Sequence, residues 1–274
     1  MTTAFGGETA GMHVARGPQE PPSFRALRYW AYQYKRTWRG SITTSFLYPI
    51  LYLAAMGVGL GSLVNRHVHN VDRVSYLVFL APGLLASTAM QIGGNDATYP
   101  VMAAIKWMRT YYAQLASPLR LLDVLLGHMG WIAVRLVTVT VIYVGVMAAF
   151  GTVLSPWVIL AIPAAVLTGL AFATPIAAYA ATQDTDTAFS TIYRMVLIPL
   201  FLFSGTFFPV TQLPQWLRVV AYATPLYQGV TLCRDLTLGQ IHPLLDAGHG
   251  AYLAVMAAGG LWLALVTYRR RLVV

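Results

Sequence analysis

Charged residues are scarce in this chain. They make up 10% of its 274 residues, whereas 57% are hydrophobic, and a soluble domain is charged at about a quarter of its positions. Long tracts carry no charge, and several reach the length of about 20 apolar residues that a helix needs to cross a bilayer. The composition excludes an ordinary soluble domain and predicts an all-α membrane protein that crosses the bilayer several times.

Lysine is nearly absent, and this limits the chemistry that the chain can perform. The sequence has two lysines, Lys35 and Lys106, and neither follows a glycine as the lysine of a phosphate-binding loop does. The nine acidic residues stay out of the middle of the apolar tracts, where ion-coupled carriers commonly place carboxylates. We therefore expect no cofactor in this chain, and any uphill transport must draw its energy from a partner.

Cysteine is limited to Cys233, so no intrachain disulfide can form. A net charge of +9 would indicate nucleic-acid binding in a soluble protein. Here the basic residues lie at the ends of apolar tracts, as the positive-inside rule predicts, so no nucleic-acid partner is expected. No metal is expected either, because His67 and His69 lie far from the other histidines and zinc needs three or four ligands.

The chain divides into three parts. Residues 1–22 are rich in Gly and Pro and are predicted to form a disordered cytoplasmic tail. Residues 23–40 place apolar side chains at helical spacing among basic ones, which indicates an amphipathic helix lying in the membrane interface. Residues 41–274 form a transmembrane domain with six predicted spans, at about 41–65, 74–95, 122–150, 157–181, 193–208 and 249–268.

Orientation follows from the distribution of lysine and arginine. Thirteen of the eighteen lie in the N-terminal region, the 97–121 connection, the 183–194 stretch and the C-terminus, and four lie in the loops of the other side. With six spans, this bias places both termini in the cytoplasm.

Between the last two spans, residues 205–247 are apolar but interrupted by Pro209, Pro214 and Pro225. Proline ends helices, and broken helices at membrane depth are tolerated only inside protein or around a cavity. We therefore predict two short half-helices on the outer side that dip inward before the last span.

The 97–121 connection carries a regular apolar pattern. Apolar side chains recur at spacings of four and three, which predicts one amphipathic helix ended by Pro118: Val101, Ile105, Met108, Tyr112 and Leu115. Its polar side could meet a cytoplasmic partner, or the helix could lie in the interface without one. In the 183–194 stretch, Asp184 and Asp186 are expected to cap a helix.

Arg135 is the one charged residue away from the ends of the third predicted span, about midway along it. An arginine at that depth costs about 2.5–3.5 kcal/mol on insertion scales and is usually paired or faces water. One hypothesis places Arg135 in a cytoplasmic vestibule, where it attracts an anionic headgroup, with His128 two turns earlier on the same face. The other hypothesis lets Arg135 reach the inner interface by snorkelling.

Residues 203–239 carry the most specific pattern. The run F-L-F-S-G-T-F-F-P-V-T-Q-L-P-Q-W-L, followed by A-T-P-L-Y and L-G, resembles the signature of ABC-2 type permeases. The likeness extends over nearly the whole chain beyond the tail, including V-S-Y-L-x-F-L-A-P-G at 74–83 and the terminal R-R-R-L. Within that family the chain resembles the NodJ branch, permeases of lipo-oligosaccharide exporters, with daunorubicin-type drug permeases as cousins. It departs from the branch at 127–131, which reads G-H-M-G-W where G-E-x-x-W is frequent.

The resemblance implies a homodimeric permease in a bacterial inner membrane. It implies a cytoplasmic ABC ATPase as partner, which would bind ATP and Mg, and an amphipathic substrate such as a lipo-oligosaccharide, glycolipid or drug. The 97–121 helix would then be the coupling helix that contacts the ATPase through Lys106, Arg109, Tyr111, Tyr112 and Gln114.

The candidate substrate path comprises Arg135, His128, Phe207 and Phe208. Three alternatives to a lipo-oligosaccharide exporter remain open: a drug-efflux permease of the daunorubicin type, a membrane-embedded lipid-modifying enzyme, and a channel or scaffold.

Overall fold

The part of the chain that the structure describes is helical. The computed structural model describes residues 21–60 and 74–273, and at 36–46, 48–49, 57–58 and 60 it describes the backbone alone. The predicted tail, up to residue 20, and the first outer loop at 61–73 lie outside the described residues.

The first helix, α1 (Pro22–Tyr52), continues directly into a π-helix, Leu53–Leu60. It begins on a proline, whose missing N–H has no intrahelical partner in a first turn. The helix has no break at residue 40, so the predicted interfacial helix and the start of the first predicted span form one continuous element. Its early turns pack against the helix at 121–149.

Among the described residues, four helices are long and apolar enough to cross a bilayer. They match the second, third, fourth and sixth predicted spans: Tyr76–Trp107, Leu121–Ala149, Val158–Thr182 and Pro243–Leu272. The first consists of α2 (Tyr76–Ala97), the short α3 (Tyr99–Met102) and a π-helix (Ala103–Trp107). The other three are α5 (Leu121–Ala149), α6 (Val158–Thr182) and α11 (Pro243–Leu272).

The fifth predicted span is a shorter apolar helix, Thr187–Phe203. It is built from α7 (Thr187–Ile192), a π-helix (Tyr193–Leu197) and α8 (Ile198–Phe203). It begins earlier than the predicted residue 193 and ends before residue 208. The total of six spans stays a prediction.

Helix α6 lies at the centre of the bundle, where it packs against α2, α5, α10 (Pro225–Leu238) and α11. Small residues make these close contacts possible. At the crossing with α2, a Cβ added to Gly93 would lie 2.3 Å from the carbonyl oxygen of Gly169. Only glycine lets the two backbones approach this closely, as at many helix crossings in membranes.

The two short helices predicted before the last span are present. Helix α9 (Gln215–Tyr222) follows Pro214, and α10 begins on Pro225. In α9, Trp216 is 71% exposed, whereas α10 packs against both α2 and α6. The second half-helix is therefore part of the bundle core.

The connection between α2 and α5 is not the single amphipathic helix that the spacing predicts. The first spanning helix continues to Trp107, and its Val101 and Ile105 are buried in the bundle. Arg109 then adopts a left-handed backbone with φ 51°, and a separate helix, α4 (Thr110–Leu115), follows. The prediction is wrong here because tertiary contacts turn the chain at Arg109, and no Gly or Pro marks that break.

Candidate coupling site at the basic end of the bundle

One end of the bundle collects cations. Helix α11 finishes there with Arg269, Arg270 and Arg271 in its last turn, where the carbonyl groups of a helix end favour positive charge. The π-helix that ends the first spanning helix also reaches this end, since its Lys106 and Arg271 of α11 form ion pairs with the same carboxylate. We call this end of the bundle the basic end.

The shared carboxylate is that of Asp184, in the loop between α6 and α7. It lies 3.2 Å from Lys106 and 2.5 Å from Arg271. Hydrogen bonds from Arg271 and then from Lys106 hold the pKa of Asp184 below its ordinary value. The capping role predicted for Asp184 is wrong, since its charge partners are other segments of the chain. Asp186 holds the N-cap position of α7 but makes no side-chain cap hydrogen bond.

Tyr111 anchors α4 inside the bundle. Its side chain is fully buried, and its hydroxyl lies 2.5 Å from Nδ1 of His128 on α5 and 3.4 Å from the hydroxyl of Tyr268 on α11. The His128 ring stacks on Trp30 of α1, with ring centroids 4.0 Å apart. We call these four side chains the anchor cluster. Hydrogen bonds join α4 to α5 and α11, and they allow the polar groups of Tyr111, His128 and Tyr268 to be buried. Ring stacking of Trp30 on His128 adds α1.

A cavity of about 970 Å³ opens beside α4. Four cations, two aromatic rings and one isoleucine line it: Lys106, Arg109, Arg270, Arg271, Trp107, Tyr112 and Ile105. We call this cavity the basic pocket. It places three of the five predicted ATPase-contact residues, Lys106, Arg109 and Tyr112, on one surface.

The other two predicted contact residues lie elsewhere. Tyr111 is enclosed by the anchor cluster, so in this conformation it cannot flank a contact with a partner protein. Gln114 is partly buried, and within the described part of the chain its side-chain amide finds no hydrogen-bond partner. Whether any of the five contacts an ATPase stays a prediction.

Arg135 is paired within the bundle. Its guanidinium lies 2.5 Å from a carboxylate oxygen of Asp96, near the end of α2, and 5.5 Å from the centroid of the Tyr34 ring. The side chains of Arg135 and Asp96 are 24% and 10% exposed. Asp96 therefore neutralises the charge of Arg135. A charged side chain inside a bilayer needs such a partner because its surroundings are of low polarity.

The four candidate substrate-path residues have different surroundings. His128 is 1% exposed, so it offers no surface to a path that Arg135 would share. Phe207 packs edge-on against Phe201, with ring centroids 4.9 Å apart. Phe208 instead packs against a small separate cluster that includes Val210. The structure does not bring the four into one site.

The loop at 204–208, at the opposite end of the bundle, is bound to α2 and α10. Arg234 of α10 donates to the carbonyl oxygen of Gly205 at 2.8 Å, and its guanidinium lies 3.9 Å from the Phe79 ring centroid. The hydroxyls of Ser87 and Thr206 are 2.9 Å apart. The charge count treats Arg234 as an outer-loop cation, whereas the structure places it within the bundle, bonded to backbone.

Asp96 and Tyr268, which are partners of two of the candidates, are not among the candidate residues that the sequence singles out. For Asp96, a usable signal exists: Asp96 and Arg135 are opposite charges in neighbouring spans whose other charges lie at the span ends, and charges inside a bilayer pair. For Tyr268 no such signal exists, because 157 positions separate it from Tyr111 and neither residue is unusual near a helix end.

In the part of the chain that the structure describes, a helical bundle with several membrane-length apolar helices, two of them joined by the Arg135–Asp96 ion pair, defines a multi-pass membrane protein. The model of the ABC-2 type transporter family matches residues 26–238, and the chain belongs to that family, whose members are membrane transport proteins. The family resemblance of the 203–239 pattern is thereby confirmed.

Curated relatives cover most of the chain. It is 34% identical over 225 residues to Nodulation protein J of Rhizobium leguminosarum bv. trifolii. The aligned region covers 82% of this chain and 84% of the relative. It is 33% identical over 243 residues to Nodulation protein J of Rhizobium meliloti (strain 1021), with 87% and 89% covered. The Nodulation protein J of Neorhizobium galegae is 31% identical over 242 residues, with the same coverage.

Proposed function

We propose that this chain is the permease subunit of an ABC exporter whose ATP, with Mg, is bound and hydrolysed by a separate ATPase subunit. Family membership supports the transport role. The two lysines cannot supply a phosphate-binding loop, so the energy must come from a partner. The basic end then faces the cytoplasm, where lysine and arginine accumulate, and two copies of the chain form the transport path.

The observation that carries this proposal is the way α4 is held. Arg109 and Tyr112 are exposed beside a pocket, while Tyr111, between them, is buried and hydrogen-bonded toward α5 and α11. A partner that moves the exposed side of α4 therefore acts on two spanning helices through one buried side chain. Contiguous packed and hydrogen-bonded side chains of this kind carry coupling between distant sites.

The resemblance to the NodJ branch supports an amphipathic substrate, such as a lipo-oligosaccharide or another glycolipid. A daunorubicin-type drug is the second candidate, because the same signature loop occurs in permeases of both kinds. Transport assays with both substrate classes separate the two. Chemical modification of the lipid, in place of its movement, would instead indicate a membrane-embedded enzyme.

Reconstitution in lipid vesicles tests the proposal. The purified chain alone should hydrolyse no ATP, and adding its partner ABC ATPase should give hydrolysis and export. Arg109→Glu should release the ATPase or uncouple hydrolysis from export. Arg194→Glu, at an exposed position outside α4 and the basic pocket, serves as the matched control and should do neither. ATP turnover by the isolated chain, or equal effects of the two substitutions, would contradict the proposal.

A further inference from the structure

The basic pocket holds more positive charge than the described chain neutralises. Its four cations face one carboxylate, Asp184, which pairs with Lys106 and Arg271. Within residues 21–60 and 74–273, neither Arg109 nor Arg270 forms an ion pair. Two guanidinium groups at the edge of a cavity are therefore available to an anion, and guanidinium matches phosphate geometry well.

The backbone holds Arg109 at this pocket in an unfavourable conformation. With φ 51°, it is the one residue other than glycine with a positive φ in the described part of the chain. Residues keep such conformations only where the surrounding structure imposes them, and they cluster at binding and switch sites.

The pocket lies where the spanning helices end. Trp107 is the last residue of the first spanning helix, and Arg270 and Arg271 belong to the last turn of α11. Trp107 and Met108 are 60% and 63% exposed. Tryptophan beside cations at helix ends is typical of the headgroup region of a bilayer. A carboxylate of a protein partner would neutralise the arginines but would not by itself account for these apolar side chains.

We infer that the basic pocket binds the phosphate of an anionic membrane phospholipid. Arg109 and Arg270 contact the phosphate, and Trp107 lies against the glycerol and the start of the acyl chains. Basic pockets between spanning helices bind anionic headgroups by this chemistry. Because the π-helix before α4, α4 itself and α11 all line the pocket, the bound lipid ties α4 to the bundle from outside. The inference does not depend on the exporter function.

Native mass spectrometry of the full chain in mild detergent tests the inference, with phosphatidylglycerol and phosphatidylcholine as probes. The unaltered chain should retain phosphatidylglycerol preferentially. Arg109→Gln and Arg270→Gln should each weaken that retention about fivefold, the usual contribution of one basic residue near an anionic surface. Arg269→Gln is the matched control, because Arg269 is exposed on the same helical turn but does not line the pocket.

The outcomes separate the possible ligands. Unchanged retention in both pocket variants, or an equal loss in Arg269→Gln, would overturn the site. Retention of glycerol phosphate as strong as that of phosphatidylglycerol would overturn the lipid as the source of the phosphate. Loss of ATPase binding in Arg270→Gln with unchanged lipid retention would assign the pocket to a partner's carboxylate. Circular dichroism checks that each variant is folded. Because Arg109 and Arg270 are exposed, we expect both variants to fold.

Discussion

The hydroxyl of Tyr111 is hydrogen-bonded to Nδ1 of His128, and this contact fixes α4 to α5. Helix α4 has six residues, whereas an isolated helix shorter than about 12–15 residues is marginal in water. Its position therefore depends on tertiary contacts. Within the described chain, the anchor cluster is a buried polar contact that contributes to holding α4, so removal of the Tyr111 hydroxyl is expected to destabilise the fold.

Tyr111→Phe keeps the ring and removes the hydroxyl. Nδ1 of His128 then lacks its partner in a fully buried site, and leaving a buried polar group unsatisfied costs about 1–3 kcal/mol. We expect the free energy of unfolding in detergent, followed by tryptophan fluorescence, to fall by about that amount. Tyr112→Phe is the control: it removes a long, exposed hydrogen bond from the Tyr112 hydroxyl to the carbonyl oxygen of Arg271. Because Tyr112 is 40% exposed, the effect should stay within about 0.5 kcal/mol. Equal effects would show that the hydrogen bond does not anchor α4.

The Arg135–Asp96 pair predicts a non-additive pair of substitutions. Arg135→Met leaves the Asp96 carboxylate uncompensated, and removing one partner of a buried pair costs about 3–5 kcal/mol. Replacing both partners with apolar residues is often nearly neutral, so Arg135→Met with Asp96→Leu should recover most of the loss. A double-mutant cycle of unfolding free energies measures the coupling. If the double variant loses the sum of the two single effects, the pair contributes nothing.

Local chemistry makes some of this fold predictable. Pro214 and Pro225 are enough to predict where α9 and α10 begin, because proline acts on its own turn of backbone. The four long spans follow from hydropathy, since burial in lipid selects uncharged tracts of sufficient length. The sequence predicts that the half-helices dip inward, but it does not reveal that α10 packs against α2 and α6, because its apolar side suits either a neighbouring helix or lipid.

The site is less predictable because one backbone break resets the helical phase. Spacing assigns Tyr112 to the buried stripe and Tyr111 to the exposed flank of a single helix. The chain instead turns at Arg109 and restarts at Thr110, so Tyr111 points inward and Tyr112 outward. Lys106 and Arg109 could be grouped correctly because cations at span ends collect at one face of the membrane. Their neighbour Arg271 comes from the far end of the chain, beyond the reach of local spacing.

Asp184 predicts a pH dependence at the basic end. Hydrogen bonds from Arg271 and Lys106 lower its pKa in the folded chain. Stability from such a carboxyl is present above its unfolded pKa of about 3.9 and is lost as pH falls through the lower folded value. Between about pH 5 and pH 2, amides of Ala103–Trp107 and of the last turn of α11 should therefore lose protection from hydrogen exchange, after correction for intrinsic rates.

Two variants test the origin of that change. In Asp184→Asn, the same amides should be less protected from hydrogen exchange at both about pH 5 and about pH 2, with little further loss on acidification. Asp186→Asn should behave like the unaltered chain. High salt should shrink the difference, because exposed ion pairs are screened. An unaltered pH response in Asp184→Asn would show that another group controls this end of the bundle.

Arg234 predicts how firmly the loop at 204–208 is held at the opposite end. Lysine in its place keeps the charge but loses the planar guanidinium that both stacks on Phe79 and donates to Gly205. Thr206 is fully buried, so a cysteine introduced there should resist a membrane-impermeant maleimide until the loop opens. In the Thr206→Cys chain, adding Arg234→Lys should raise the labelling rate about tenfold, the equivalent of about 1.4 kcal/mol. Native Cys233 is buried and should add no background to the labelling.

The control is Arg218→Lys, which alters an arginine bonded to the carbonyl oxygens of Thr211 and Leu213. It should leave the labelling rate within about twofold. Equal labelling in the two arginine variants would show that the loop is held by packing rather than by Arg234.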